Sequence, residues 1–556
     1  MNLDVIIINK HIFLLCVYLP TFYLDFDKIN MTHLPNQVPG KKCDKIMILF
    51  SNLLFVYDLI VDVTYQTIEG FGGSFTDAAG INLQTLSQGA QDNFIKSYFS
   101  EKGLEYNVGR VPIGGSDFST HPYAYNMQPT DDLQLSNFSL TEEDYTLKLP
   151  LIQQAIAHAT EDLHIMATAW SPPVWMKTNG EFGGESRLID KYYQTHIIPY
   201  ILPYFPIPTL YLNIRSGYFE ILQTCSGLLV TLYSLRYLNP YISLLPYLSL
   251  PSKIPQHWRG SYGHMNPSLP LQCKAMGRES PAGEVKGSPS ICLFRSSPPC
   301  IWWADTFLKI VINVMFFRFL QEYKKNNVSI WAISTGNEPS NGIIPILAFN
   351  SLGWMPSDQN LGPTIKHSEF KDVNILALDD QRFSLPWWIE WNNDTMQYID
   401  GVAVHWYWND LIGPSSLDRT HNAFPDKFLI GTEACVGDKP WQTEKVELGS
   451  WSRAEMYIKD ILEGLNHWYV GWIDWNLALS REGGPNWFSN FVDAGVIVMP
   501  DADEFLKQPL FYAVGHFSKF IPRGSVRVEV KELTGFVDHV AFLRPDNGIV
   551  VVFYNP

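Results

Sequence analysis

From Thr67 onward the chain alternates short apolar runs with longer segments whose apolar residues recur every three to four positions. The runs are Thr67–Phe75, Asn107–Ile113, Leu163–Trp170, Ser329–Ser334, Asn374–Asp380, Asp400–Tyr407, Phe428–Glu433 and Gly471–Leu477. Several are almost continuously apolar, the pattern of parallel strands covered on both faces. Tyr145–Ala159 and Trp451–Trp468 are typical of the helical segments between them. Eight such units predict an α/β fold, a (β/α)8 TIM barrel, with its chemistry at the C-terminal ends of the strands. After Pro509 the pattern changes to one helix followed by short alternating runs, Ser525–Val530, Val540–Leu543 and Gly548–Tyr554. These predict an antiparallel β-sandwich attached to the barrel, incomplete because the chain stops just after its last run.

Two regions break the pattern. Between His196 and Trp303 there are only three acidic residues, Glu220, Glu279 and Glu284, and no amphipathic period persists. Pro199, Pro203, Pro206 and Pro208 would break a membrane-spanning helix through its apolar runs. Residues 1–60 are also atypical; Ile12–Leu19 is apolar but has little basic charge before it and makes a poor signal peptide. The expected organisation is therefore an N-terminal segment 1–60 and a catalytic barrel 61–508. The barrel is interrupted by a disordered or artefactual insertion 196–316, and 509–556 carries the last barrel helix and the partial sandwich.

Composition narrows the function. The net charge of −16 argues against nucleic acid, whose phosphates need clustered Lys and Arg, and suits an acidic lumen that would relieve self-repulsion. Of seven cysteines, only Cys435 lies in the regularly patterned body, where a small packing residue is expected. No metal-ligand spacing or disulfide framework can be read, so organic side chains must carry the chemistry. Sequons at Asn30, Asn137, Asn327 and Asn393 give weak support to a secretory route.

Two apolar runs end abruptly in glutamate: Ile330–Ser334 leads to Glu338, and Phe428–Ile430 leads to Glu433. Burying a charge at a strand end costs free energy and does nothing for folding. Two at matching positions predict a converging pair, which is what glycosidic bond cleavage requires.

The chain resembles glycoside hydrolase family 30, in its lipid-cleaving branch. The matching motifs run in order: GFGGSFTDAAG (70–80), GRVPIGGSDFS (109–119), AWSPPVWMKTNG (169–180), NEPS (337–340), LDDQR (378–382), VAVHWY (402–407), TEACVG (432–437), GWIDWNLAL (471–479), GGPNWFSNFVD (483–493) and KQPLFYAVGHFSKFIPRGS (507–525). The resemblance implies retaining hydrolysis of the β-glucosyl bond of glucosylceramide at a membrane surface, without cofactor or metal. It makes Glu338 the general acid/base and Glu433 the nucleophile. Arg110, His405 and Tyr407 would support the nucleophile, and Asp77, Trp170, Asn337, Trp475 and Asn490 would hold the sugar. It further implies a lysosomal or secretory location, a saposin-type activator and anionic lipids as partners. Tyr192–Thr195 and Trp303–Lys309 match consecutive turns of one family helix, which places the insertion inside it. Two other readings compete: a catalytically silent glycolipid-binding relative, and a barrel hydrolase of other β-glycosides.

Overall fold

The computed structural model describes residues 3–9, 43–50, 53–130, 132, 134–186, 211–215, 218–222, 313–343, 349–353, 361–390, 395–534 and 537–555. The chain divides into two units, one of residues 1–193 with 299–556 and one of residues 194–298. In the first unit eight strands close into a barrel: β1 (Gly70–Ser74), β2 (Val108–Ile113), β3 (His164–Ala169), β4 (Ile330–Ser334), β5 (Asn374–Gln381), β6 (Gly401–His405), β7 (Phe428–Glu433) and β8 (Tyr469–Asn476). Neighbours follow chain order, every pair is parallel, and β8 closes on β1. All eight coincide with predicted runs. The first run joins two elements, because Ile68 and Glu69 bond to Ser525 and Val470 between a strand ending at Thr67 and the start of β1.

The barrel interior is built in layers. Val108, Met166, Ala332, Leu376, Ala403, Ile430, Val470 and Ile473 contribute an apolar plug from seven of the strands. β1 contributes small residues instead: a Cβ on Gly72 would lie 1.6 Å from the Val108 carbonyl oxygen, so only glycine lets β1 and β2 pair here. Outside the strands, helices bury their apolar faces against the barrel. Helix Asp77–Gln84 is N-capped by Thr76, whose hydroxyl accepts from the Ala79 amide, and helix Trp451–Asn466 buries Tyr457, Ile458, Ile461 and Leu465. Residues 313–325 are helical, with Met315 and Phe316 in the main core.

Beside the barrel lies a six-stranded sheet in the order Leu3–Asn9, Ile549–Asn555, Asp538–Leu543, Val526–Thr534, Leu53–Thr67, Cys43–Phe50. It is mixed rather than wholly antiparallel, since Leu3–Asn9 runs parallel to Ile549–Asn555. The described parts of 1–60 thus supply strands that no sequence pattern announced. Most of 196–316 lies outside the described residues, as do Cys16, Cys225, Cys273, Cys292, Cys300 and both halves of the interrupted helix. Within the second unit, Tyr211–Arg215 and Tyr218–Leu222 pair antiparallel. No helix of the described residues is long and apolar enough to cross a membrane.

Candidate active site

Two residues beyond the apolar plug, the period of a strand brings a second set of side chains to the barrel axis. Val108 is followed by Arg110, Met166 by Thr168, Ala332 by Ser334, Ala403 by His405 and Ile430 by Thr432. All five are fully buried. On β5 the same step from Leu376 would reach Leu378. Instead the register against β6 shifts between Leu378 and Asp380, and Leu378 and Asp379 take left-handed φ values of 73° and 51°. The bulge sends Leu378 into the outer core and puts Asp379 on the axis.

Asp379 is the hub of the layer. It accepts hydrogen bonds from Thr168 (2.7 Å), Thr432 (2.8 Å) and Arg110 (3.1 Å), and faces His405 Nε2 at 3.0 Å. Burial works against its charge, but Arg110 and His405 outweigh it and hold the carboxyl well below the usual range. The other ring nitrogen of His405 lies 2.8 Å from Glu338 Oε1. Burial opposes protonation of this ring too, yet Glu433, Asp379 and Glu338 together lift it to about 10. An imidazolium that donates at both nitrogens results.

The two predicted glutamates meet here. Carboxylate oxygens of Glu338 and Glu433 and a His405 nitrogen lie within 4.8 Å of one another. Glu433 accepts from Arg110 and, at 2.8 Å, from the Tyr407 hydroxyl, which also touches Cys435 Sγ at 3.3 Å. Glu338 accepts from Gln381 and Asn341, each at 2.6 Å. Its backbone is left-handed (φ 42°), and its amide bonds to the carbonyl of the bulged Asp379, so the strain on β5 and the pose of Glu338 are joined. Burial, with Glu338 adding to it, pushes the Glu433 carboxyl upward while His405 and Arg110 pull it down. Glu338, His405 and Glu433 have the spacing of a metal cluster, but both His405 ring nitrogens already face carboxylate oxygens, of Glu338 and Asp379.

Around the pair, Asn337 accepts from Arg110 at 2.7 Å, which leaves its amide NH2 for another acceptor. Trp170 and Trp475 stack on each other (5.2 Å between centroids), with the Arg110 guanidinium 5.0 and 5.2 Å from their rings. Asn490 donates to Asp117 at 3.2 Å, as does Asn486 at 3.0 Å. Burial lifts the Asp117 carboxyl to about 7, and the charges of Glu433 and Glu338 contribute to that rise.

Asp77 is placed differently. Its partners are Ser119 (2.7 Å), Tyr123 (2.8 Å) and Lys148 (3.8 Å), and none of the other predicted site residues is among them. The structure therefore does not bring Asp77 to the carboxylate pair, and Asp117 takes the place beside Asn490. Asp117, Asp379, Gln381 and Asn341 had no predicted role. Their signal was available in part: Asp117 follows the end of β2 by four residues, and Asn341 follows Glu338 by three.

With this geometry, the family's TIM-barrel domain matches residues 68–206 and 304–521, and its beta sandwich domain matches 524–556. The chain belongs to glycosyl hydrolase family 30. Lysosomal acid glucosylceramidase of Mus musculus is 35% identical over 503 residues, 88% of this chain and 75% of that protein. Putative glucosylceramidase 4 of Caenorhabditis elegans is 32% identical over 509 residues, with the same coverage of 88% and 75%. In fold, the chain matches the crystal structure of SrfJ from Salmonella typhimurium with a TM-score of 0.62 at 22% identity, over 89% of this chain and 84% of that one. It is thus a glycoside hydrolase of the family that the sequence motifs resembled.

Proposed function

We propose that this family 30 enzyme hydrolyses the β-glucosyl bond of glucosylceramide by double displacement, with Glu433 as nucleophile and Glu338 as acid/base. The observation that carries the mechanism is the approach of the two carboxylates to within 4.8 Å. Retaining pairs stand about 5–5.5 Å apart, whereas inverting pairs need about 6.5–9.5 Å to admit a water. The permanently charged Arg110 faces Glu433 and favours its ionised form, as a nucleophile needs. A Glu433 oxygen attacks the anomeric carbon, the bond to the ceramide oxygen breaks, and that oxygen takes the Glu338 proton. Glu338 then removes a proton from water, which attacks the glucosyl ester, frees glucose and returns Glu433 as a carboxylate.

Arg110, His405 and Tyr407 orient the nucleophile, and Asn337, Asn490 and Asp117 grip hydroxyls. Trp170 and Trp475 wall the site as a stacked pair. The lipid substrate is supported by the two glucosylceramidase relatives and by the rim of the mouth. Trp408 and Leu411 after β6 and Trp441 after β7 are large, apolar and exposed, Leu411 and Trp441 at about 70%. Such a rim suits a substrate presented in a membrane surface. An acidic lysosomal lumen suits the raised carboxyl of Asp117 and lowers the repulsion between a net charge of −16 and anionic lipids. A saposin-type activator remains part of this reading by resemblance. Both glutamates, fully furnished with partners, favour an enzyme over a silent glycolipid binder. Of the expected insertion 196–316, residues 207–303, which the family domain skips, are read as lying outside the catalytic machinery, and every site residue named here lies elsewhere; residues 304–316 match the barrel domain.

The test separates the two glutamates. Glu433→Gln is expected to lose turnover on lipid and on activated aryl β-glucosides alike, by on the order of 10⁴-fold or more, as for other covalent nucleophiles. Glu338→Ala is expected to retain glycosylation by good leaving groups and to yield β-glucosyl azide when azide is added. Failure of azide to rescue, with all substrates equally impaired, would reject the assignment.

A further inference from the structure

Arg382 closes the LDDQR run, is fully buried, and touches neither glutamate. Its Nη1 donates to Glu463 and, at 3.4 Å, to the carbonyl of Ile412; its Nη2 lies 3.7 Å from Asp460. Asp460 and Glu463 sit one turn apart on helix Trp451–Asn466. Asp460 accepts from the Trp472 indole at 2.9 Å and from the Asn409 side chain at 2.6 Å. The loop after β6 is therefore held from beneath at two points, Asn409 and Ile412. The loop carries Trp408, Leu411 and Ile412, which face solvent. From another side Lys439 lies over Trp408 at 4.5 Å and over Tyr407 at 5.5 Å. The loop thus starts at Tyr407, which holds Glu433, and ends at Ile412, which Arg382 holds.

A loop carrying three exposed large apolar residues gains nothing from water and would fold them inward unless something fixed its backbone. Charged hydrogen bonds from a buried helix face do so, and they sit where a mobile loop would otherwise lose the entropy of ordering on each encounter. We infer that the Asn409–Asp460 contact, backed by Arg382, is a positioning device that holds the apolar loop in register with the carboxylate pair for substrates embedded in a lipid surface. The inference rests on the lipid substrate proposed above and adds the residues that make the site selective for it.

The experiment compares Asn409→Ala with wild type on glucosylceramide in phosphatidylcholine vesicles and on a soluble aryl β-glucoside. Asn409 is only half-buried and its loss leaves the Arg382–Asp460–Glu463 cluster paired, so the variant keeps its fold. KM for vesicle substrate is expected to rise about tenfold, equivalent to about 1.4 kcal/mol, with kcat and KM for the aryl glucoside unchanged. Asn409→Asp, which sets a second carboxylate against Asp460 and leaves Arg382 paired, should raise the vesicle KM at least as much. Unchanged vesicle kinetics overturns the inference. So does an equal loss on both substrates, which would mean that the loop shapes the carboxylates, and so does Asn409→Asp with wild-type vesicle kinetics. Wild type that cleaves the aryl glucoside and leaves the lipid intact would instead refute the substrate reading on which the inference stands.

Discussion

The molecule buries two clusters of charge at the same end of the barrel, and they differ in kind. One joins Lys148 to Asp144 (3.0 Å) and Asp77 (3.8 Å) and is completed by the hydroxyls of Ser119, Tyr123, Tyr125 and Tyr323. Lys148 also donates to the carbonyls of Pro112 and Gly114 as the chain leaves β2. Each of its groups ties one element to another: the helix after β1, the loop after β2, the helix ending at His158 and the helix 313–325. The other cluster joins Arg110, His405, Asp379, Glu433 and Glu338. It contains left-handed backbone at Glu338, Leu378 and Asp379. Burial of charge is common to both, so burial does not mark function. What distinguishes the second is strain held in place by its own hydrogen bonds, and two carboxylates that approach within 4.8 Å.

The largest break in this comparison is expected from Lys148→Met. It leaves Asp77 and Asp144 buried without their cation, which costs about 3–5 kcal/mol of stability. Chemical denaturation should show that loss, while activity per folded molecule on an aryl glucoside falls far less. A variant as stable as wild type would show that the hydroxyls alone hold these carboxylates, and would erase the distinction.

Asp379→Asn is expected to do the reverse, with a smaller stability loss and roughly a 10²-fold fall in kcat/KM, the scale on which one preorganised electrostatic partner acts. It also changes the pH profile. The pKa of His405 is raised to about 10, so the stability its charge contributes is complete below about 6.5 and is lost as pH rises through 10. Removing one of its counter-ions brings that pKa down, so the alkaline limb of activity should move toward neutral pH. An activity loss with the wild-type pH profile would show that Asp379 acts on the fold and not through His405.

The parts of this organisation that were legible in the sequence are those written in local pattern. Parallel strands covered on both faces read as apolar runs, and a glutamate at the end of such a run stands out; β1–β8, Glu338 and Glu433 were visible for that reason. Asp379 was not. Alternation along Asn374–Asp380 points Leu378 to the axis, and leucine carries no preference for the left-handed conformation that the bulge imposes. Asp77 and Asp117 both follow barrel strands, and only the positions of Lys148 and Asn490 decide which turns toward the glutamates. The pairing of Leu3–Asn9 with Ile549–Asn555 joins opposite ends of the chain, a contact that no local period reports.

The smallest effect is expected at a carboxyl that belongs to neither cluster. Asp474 on β8 is buried and accepts from the Tyr457 hydroxyl (2.7 Å) and the Trp475 amide (2.9 Å), both at Oδ1. Burial pushes it to about 7, Asp493 adding to the rise while those two hydrogen bonds oppose it. Its folded pKa lies above the unfolded value of about 3.9, so the native state binds the proton more tightly and stability falls as pH rises from about 4 to 7. Asn at this position presents the same Oδ1 to both donors and carries no charge at any pH. Asp474→Asn should therefore melt close to wild type near pH 4 and a few degrees higher at pH 8, a difference of about 1–2 kcal/mol in a chain of this length. Melting curves at both pH values decide it. An equal shift at the two would mean that packing, and not ionisation, separates the variants. A midpoint that falls at pH 8 would mean that the Asp474 carboxylate is favoured in the folded chain, and that burial without a cation can hold a charge as well as Lys148 or Arg110 does.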